Sequence, residues 1–195
     1  MEFDRIYAEV DLGRIEENMK AMKEHLRPGT KMYGVVKTDA YGHGAVPVAR
    51  TIDRFVCGYA VATVDEGIKL RRHGIEKEIL CLGPVSAGRY QECLENDISL
   101  PMFEYRRAKE LSDAAVAEGK TAKIHIAVDT GMSRIGLFPD EGSVETVKEI
   151  AELPALRIAG MFTHFAAKER ANAGGRQFGS GRKKTSCRST AYPSV

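Results

Sequence analysis

Cysteine is scarce and poorly placed for metal or disulfide work. Cys57, Cys81, Cys93 and Cys187 are the only four, and no two form a CxxC pair. Their spacing suggests neither a zinc ribbon nor a disulfide framework. Cys57 and Cys81 lie in apolar runs and read as core thiols. Long hydrophobic runs are missing as well: no window approaches the length of a membrane span. The first residues, Met1-Glu2-Phe3-Asp4, are acidic where a secretory signal peptide is basic, so a cytoplasmic chain is expected. His25, His73 and His125 show no ligand spacing and read as structural or exposed, and no metal site is expected.

Charge is nearly balanced over the 195 residues, at +2, yet it is divided unevenly. Residues 1–167 hold 22 Lys/Arg against 26 Asp/Glu, whereas residues 168–195 hold seven against one. Among large aliphatics and phenylalanine, those last 28 residues contain only Phe178 and Val195, and they include four glycines. Such a segment buries too little apolar surface to offset the entropy of ordering it. We therefore expect a folded domain over residues 1–167 and a basic Gly/Ser-rich tail over 168–195 that is disordered or read out of frame.

Before that boundary the pattern is regular. Leu12, Ile15, Met19, Met22 and Leu26 follow the spacing of an amphipathic helix, which Pro28-Gly29 stops. Apolar runs at residues 31–36, 57–62, 78–82, 98–102, 122–128 and 156–162 predict six strands. Helical patterns at 44–55, 64–72, 89–95, 104–118 and 140–153 separate them. A further strand is expected at residues 6–11. Strands that alternate with helices in this way build parallel sheets through right-handed crossovers. An eight-stranded barrel takes about 250 residues, so the expected fold is an incomplete (β/α)8 TIM barrel.

Three strand ends carry chemistry. The first runs Val35-Val36-Lys37-Thr38-Asp39-Ala40-Tyr41-Gly42-His43-Gly44, a lysine after an apolar run and then a glycine-punctuated turn. The fifth strand ends in Asp129, Thr130 and, a few residues on, Arg134. The sixth ends in Thr163-His164. Barrel enzymes assemble their sites at this face. Taken singly, Lys37 is ordinary surface, Arg134 a salt-bridge partner, His164 a hydrogen-bonded core residue, and the Gly42/Gly44 pair a weak phosphate signal. Together, an imine-forming lysine, an arginine for a carboxylate and a histidine and tyrosine beside an aromatic cofactor suit amino-acid chemistry on pyridoxal 5'-phosphate.

The segment Val35–Gly44 resembles the pyridoxal-phosphate signature of bacterial alanine racemases. Two further stretches, V-D-T-G-M-S-R-I-G at 128–136 and G-M-F-T-H-F-A at 160–166, resemble other segments of those enzymes in matching order. The likeness covers about residues 4–167. It implies a fold-type III enzyme, an isomerase with a barrel, a C-terminal β domain and a homodimeric assembly. It implies that Lys37 bonds the cofactor and serves as base on the D-alanine face. Tyr41 would hold the phosphate, Arg134 would lie near the phenolic oxygen and the substrate carboxylate, and His164 would sit beside the ring. Leu82 matches the apolar residue that packs on the ring.

The departures from the family are specific. Ala127 stands where many members carry a lysine, often carbamylated, that supports the arginine. Beyond Ala167 no family pattern is recognisable, and the β domain with its tyrosine base for the L-alanine face has no counterpart. The expected function is therefore interconversion of L- and D-alanine, supplying peptidoglycan, with this chain a truncated or frameshifted and inactive copy. The alternative is a non-catalytic barrel that binds pyridoxal phosphate, a class that lacks the Tyr-Gly-His-Gly turn. Nucleic acid is not an expected partner, because the basic residues Arg182–Lys184 come with no recognition motif.

Overall fold

A computed structural model describes residues 7–166. The tail expected from residue 168, with Cys187, lies outside the described residues. Helix α1 (Leu12–Glu24) leads into β1 (Tyr33–Val35), a single turn α2 (Lys37–Tyr41) and α3 (Ala45–Ile52). There follow β2 (Gly58–Val61), α4 (Val64–Arg72), β3 (Glu78–Cys81), α5 (Tyr90–Glu95), β4 (Ile98–Met102) and α6 (Tyr105–Ala117). The described part closes with β5 (Ala122–Val128), α7 (Glu141–Ala151) and β6 (Leu156–Thr163). The six strands form one parallel sheet in sequence order, β1 to β6.

The strand expected at residues 6–11 does not form over residues 7–11, and Ile6 lies outside the described residues. No strand neighbours it in the sheet. Asp11 instead caps α1, its Oδ1 accepting the Arg14 N–H at 3.1 Å, which fixes the chain as a helix entry. The other strands and helices appear within a few residues of their expected ends. Helix α4 starts on a capping box of Thr63 and Glu66.

Burial follows from the parallel arrangement. Every residue of β2 and of β4 is buried, as expected where both faces are covered. Helices α3 to α6 pack their buried faces on one side, with Leu70, Leu111 and Ala115 fully enclosed. Cys81 and Cys93 are buried thiols, and Cys57 is half-buried with Sγ near the Met32 carbonyl.

The opposite face of the sheet is polar at its centre, and it shows that the sheet curls. Glu78 accepts from the Tyr33 hydroxyl of β1, from Ser99 Oγ of β4 at 2.9 Å, and lies 2.9 Å from His125 Nε2 of β5. The Tyr33 and His125 rings meet edge-on, 6.4 Å between centroids. In a flat sheet β1 and β5 would stand about 19 Å apart, four spacings of ~4.8 Å. They meet because the sheet is rolled into part of a barrel. Gly58 makes room for this: a Cβ there would lie 2.7 Å from Tyr33 Cε1 and 2.9 Å from the Glu78 carbonyl.

The cluster has a pH signature. The hydrogen bond with His125 is the largest cause holding Glu78 below the ordinary carboxylate value, burial opposes it, and Tyr33 and Ser99 reinforce it. The result is a pKa of about 2 against 4.5. A carboxyl lowered in the folded state stabilises fully above its unfolded pKa, and that stability is lost as pH falls from about 4.5 toward 2. The loss is on the order of 3 kcal/mol. Thermal melts at pH 7 and pH 3 should show Glu78→Gln well below the wild type at pH 7 and the gap narrowing at pH 3. A gap of the same size at both pH values would refute the assignment.

Candidate active site

Lys37 follows β1 by one residue, and the chain then turns in an unusual way. Thr38, Asp39 and Ala40 have φ/ψ of 51/48, 54/46 and 54/47, and Tyr41 has φ 56, so a full turn is wound left-handed. L-residues pay about 1–2 kcal/mol each for that conformation, and Thr38 is β-branched. Strain of this kind persists only where the surroundings over-determine it.

Those surroundings come mainly from α4. The Glu66 carboxylate accepts the Thr38 N–H at 2.6 Å through Oε1 and the Ala62 N–H at 2.7 Å through Oε2. Asp39 Oδ1 accepts the Ala45 N–H at 3.0 Å and pairs with Lys69 Nζ at 2.8 Å. The Ala45 N–H first, and Lys69 next, hold the Asp39 carboxyl below the usual range. Within the turn, Ala40 N–H donates to the Val36 carbonyl and Gly42 N–H to that of Thr38. Gly42 and Gly44, at φ 85 and 88, let the chain leave it.

The turn brings Lys37 and Tyr41 together, with Lys37 Nζ 6.0 Å from the centre of the Tyr41 ring. Lys37 is half-buried, Tyr41 is exposed, and the ammonium makes no ion pair among the described residues. The N–H groups of Gly42, His43 and Gly44 are all taken by carbonyls of Thr38, Ala40 and Asp39. A phosphate at this loop would therefore meet the Tyr41 hydroxyl, not a backbone cradle.

The other expected residues fall on the same C-terminal edge of the sheet. Leu82 directly follows β3, half-buried, its N–H donating to the Val61 carbonyl at 2.8 Å. The loop after β5 folds back on that strand: Leu137 N–H donates to Ala127, and Asp129 N–H to Leu137. Gly136, at φ 119, is pressed so close that a Cβ would lie 2.6 Å from Asp129 N. Buried Asp129 accepts the Gly131 and Ser133 N–H groups at 2.9 Å and shapes the loop. Arg134 stands on it, exposed and without an ion pair among the described residues. Thr130 and Thr163 hydroxyls, 2.7 Å apart, join this loop to the end of β6. His164 is exposed, with Nδ1 3.0 Å from the Phe165 carbonyl, and is not a core histidine. Ala127, at the position discussed above, is buried. Among the described residues no cluster of acids, cysteines and histidines could hold a metal.

An amine without a counterion, a free-standing phenol and an unpaired guanidinium on one edge suit an aldehyde that carries phosphate. Sequence reasoning missed Glu66 and Lys69. The Thr63-x-x-Glu66 spacing announces a helix start, but nothing local announces its reach to Thr38.

The fold defines the class: the described strands form part of a parallel (β/α) barrel, a fold that assembles its sites at the C-terminal ends of its strands. A family model described as "Alanine racemase, N-terminal domain" matches residues 10–184, past Ala167, where the resemblance read from the sequence stopped, and the chain belongs to that family. The alanine racemase of Clostridium novyi is 46% identical over 168 residues, covering 86% of this chain and 43% of the relative. A solved alanine racemase of Clostridium difficile 630 superposes with a TM-score of 0.74 at 38% identity, over 80% of this chain and 40% of that one. That of Streptomyces lavendulae gives 0.77 at 34%, over 85% and 44%. The chain thus spans less than half the length of these relatives. No helix of the described residues is long and apolar enough to cross a membrane.

Proposed function

We propose that this chain carries the lysine half of a pyridoxal-phosphate-dependent alanine racemase, an enzyme interconverting L- and D-alanine. The observation that carries the reading is Lys37, unpaired and half-buried at the end of β1, held beside Tyr41 by a strained turn. The cofactor, when bound, takes up the electron pair left as the substrate's Cα–H bond breaks. Lys37 would hold it covalently until the substrate's amine takes its place, and the freed Lys37 amine would then move the α-proton on the D-alanine face. The Tyr41 hydroxyl donates to the phosphate. Leu82 would pack on one side of the ring, His164 would lie beside it, and Arg134 would face the phenolic oxygen and the substrate carboxylate.

The base for the other face would come from the part of the relatives that this chain does not span, across a homodimer. The product would serve peptidoglycan synthesis in the cytoplasm, with no role for nucleic acid or membrane. Residues 1–167 act as the cofactor-binding unit in this reading. The test is direct: incubate the chain with pyridoxal phosphate, reduce with borohydride, and map the modified residue by mass spectrometry. Label concentrated on Lys37 is expected. Label spread over exposed lysines would defeat the proposal.

A further inference from the structure

Glu66 does more than start a helix. One of its oxygens serves the loop after β2, accepting from Ala62 at 2.7 Å and Thr63 at 3.3 Å. The other crosses to the loop after β1 and takes the Thr38 N–H at 2.6 Å. A helix start needs only the first of these. The second is a charge-assisted bond to the amide directly after Lys37, at the first residue of the left-handed stretch. Lys69, three residues on and on the same face of α4, takes Asp39 one residue further along. Helix α4 therefore grips the turn at two successive residues.

We propose that Glu66 is a positioning residue for Lys37: its carboxylate keeps Thr38 left-handed and so sets the direction in which the lysine leaves β1. The inference rests on the reading of Lys37 as the cofactor lysine. Without the carboxylate, Thr38 relaxes toward right-handed backbone and Lys37 swings away from Tyr41. Gln at position 66 keeps the shape but has one carbonyl oxygen, which satisfies two amides, Ala62 and Thr63, on one side and only Thr38 on the other, so its NH2 group turns toward Thr38 and that amide loses its acceptor.

The test compares Glu66→Gln with Thr63→Ala in the chain of residues 1–195. Thr63→Ala removes the other half of the capping box, loosens the start of α4, and leaves the bond to Thr38 in place. Amide hydrogen exchange at Thr38, read by NMR without cofactor, should quicken about tenfold or more in Glu66→Gln, the scale of a lost bond to a charged group. The dissociation constant for pyridoxal phosphate should rise by a similar factor, with less label trapped on Lys37. Thr63→Ala should stay within about threefold of wild type in both readouts, since its one neutral bond lies outside the turn. The proposal fails if Glu66→Gln matches wild type in both, or if Thr63→Ala reproduces both effects. Should Glu66→Gln not fold, Glu66→Asp takes its place, keeping the charge and the helix start while shortening the arm. A wild type that takes up no pyridoxal phosphate on Lys37 would sink the reading of function. Thr38 exchange would still decide whether Glu66 holds the turn.

Discussion

Lys37→Ala is expected to abolish covalent capture of pyridoxal phosphate, while Lys31→Ala leaves it intact. The difference follows from position. Lys31 is exposed and precedes β1, at the end of the strand away from the site. Lys37 follows the strand and sits beside Tyr41. One other amine approaches the turn, Lys69, but its Nζ is engaged by Asp39 at 2.8 Å. An ammonium held by a carboxylate is a poor nucleophile, so Lys69 does not stand in. Binding is followed by the visible absorption band of the bound cofactor and by borohydride-trapped label. A band of undiminished strength in Lys37→Ala, or label shifted to Lys69, would remove Lys37 from its proposed role.

Racemisation of alanine by residues 1–195 alone is expected to fall below detection in an enzyme-coupled D-alanine assay. A positioned acid–base group contributes about 10²–10⁴ in rate. On the proposed reading the group for the L-alanine face lies outside the segment that this chain shares with its relatives. On the same reading Tyr41 is the one phosphate contact assigned to this chain, and each missing bond to a charged group would weaken the cofactor's hold by about 1.5–3 kcal/mol. The same polypeptide should associate. Strands β1 and β6 are the outer strands of the sheet, and such edges are templates for pairing. Val35, Ile158, Met161 and Phe165 are exposed on or beside them. Sedimentation run alongside the assay reads this directly. A soluble monomer that turns over alanine at ordinary enzyme rates would show that the chain needs nothing further.

Much of the architecture was legible because each strand and helix announces itself locally. The apolar runs gave strands at 98–102 and 122–128 with the bounds observed, and the 3.6-residue pattern gave α4 with its bounds. The strand expected at 6–11 failed because periodicity says nothing of whether a neighbouring strand exists. The placement of the candidate residues was legible in part, because Lys37, Leu82, Arg134 and His164 each follow a strand whose end could be read. The left-handed turn was not. Thr38, Asp39, Ala40 and Tyr41 have no preference for positive φ strong enough to announce it, and only Gly42 and Gly44 hint at an unusual exit. What holds the turn is Glu66, 28 positions away from Thr38, and a contact of that separation leaves no local trace. The Glu78 cluster was hidden for the same reason, since it exists only once the sheet curls.

That cluster also has a place in time. Successive strands pair in order along the chain, so each docking step closes a modest loop and can follow the last. Glu78 must instead wait for Tyr33, 45 residues before it, and His125, 47 after it. Closing loops of that size costs entropy before any bond repays it. The polar knot therefore ties late, after the strands have been laid side by side. Interactions absent from the transition state govern how fast a structure comes apart, not how fast it is built. The half-buried carboxylate is thus expected to act as a latch on the lifetime of the rolled sheet, its protonation by acid hastening unrolling while leaving assembly nearly as quick as before.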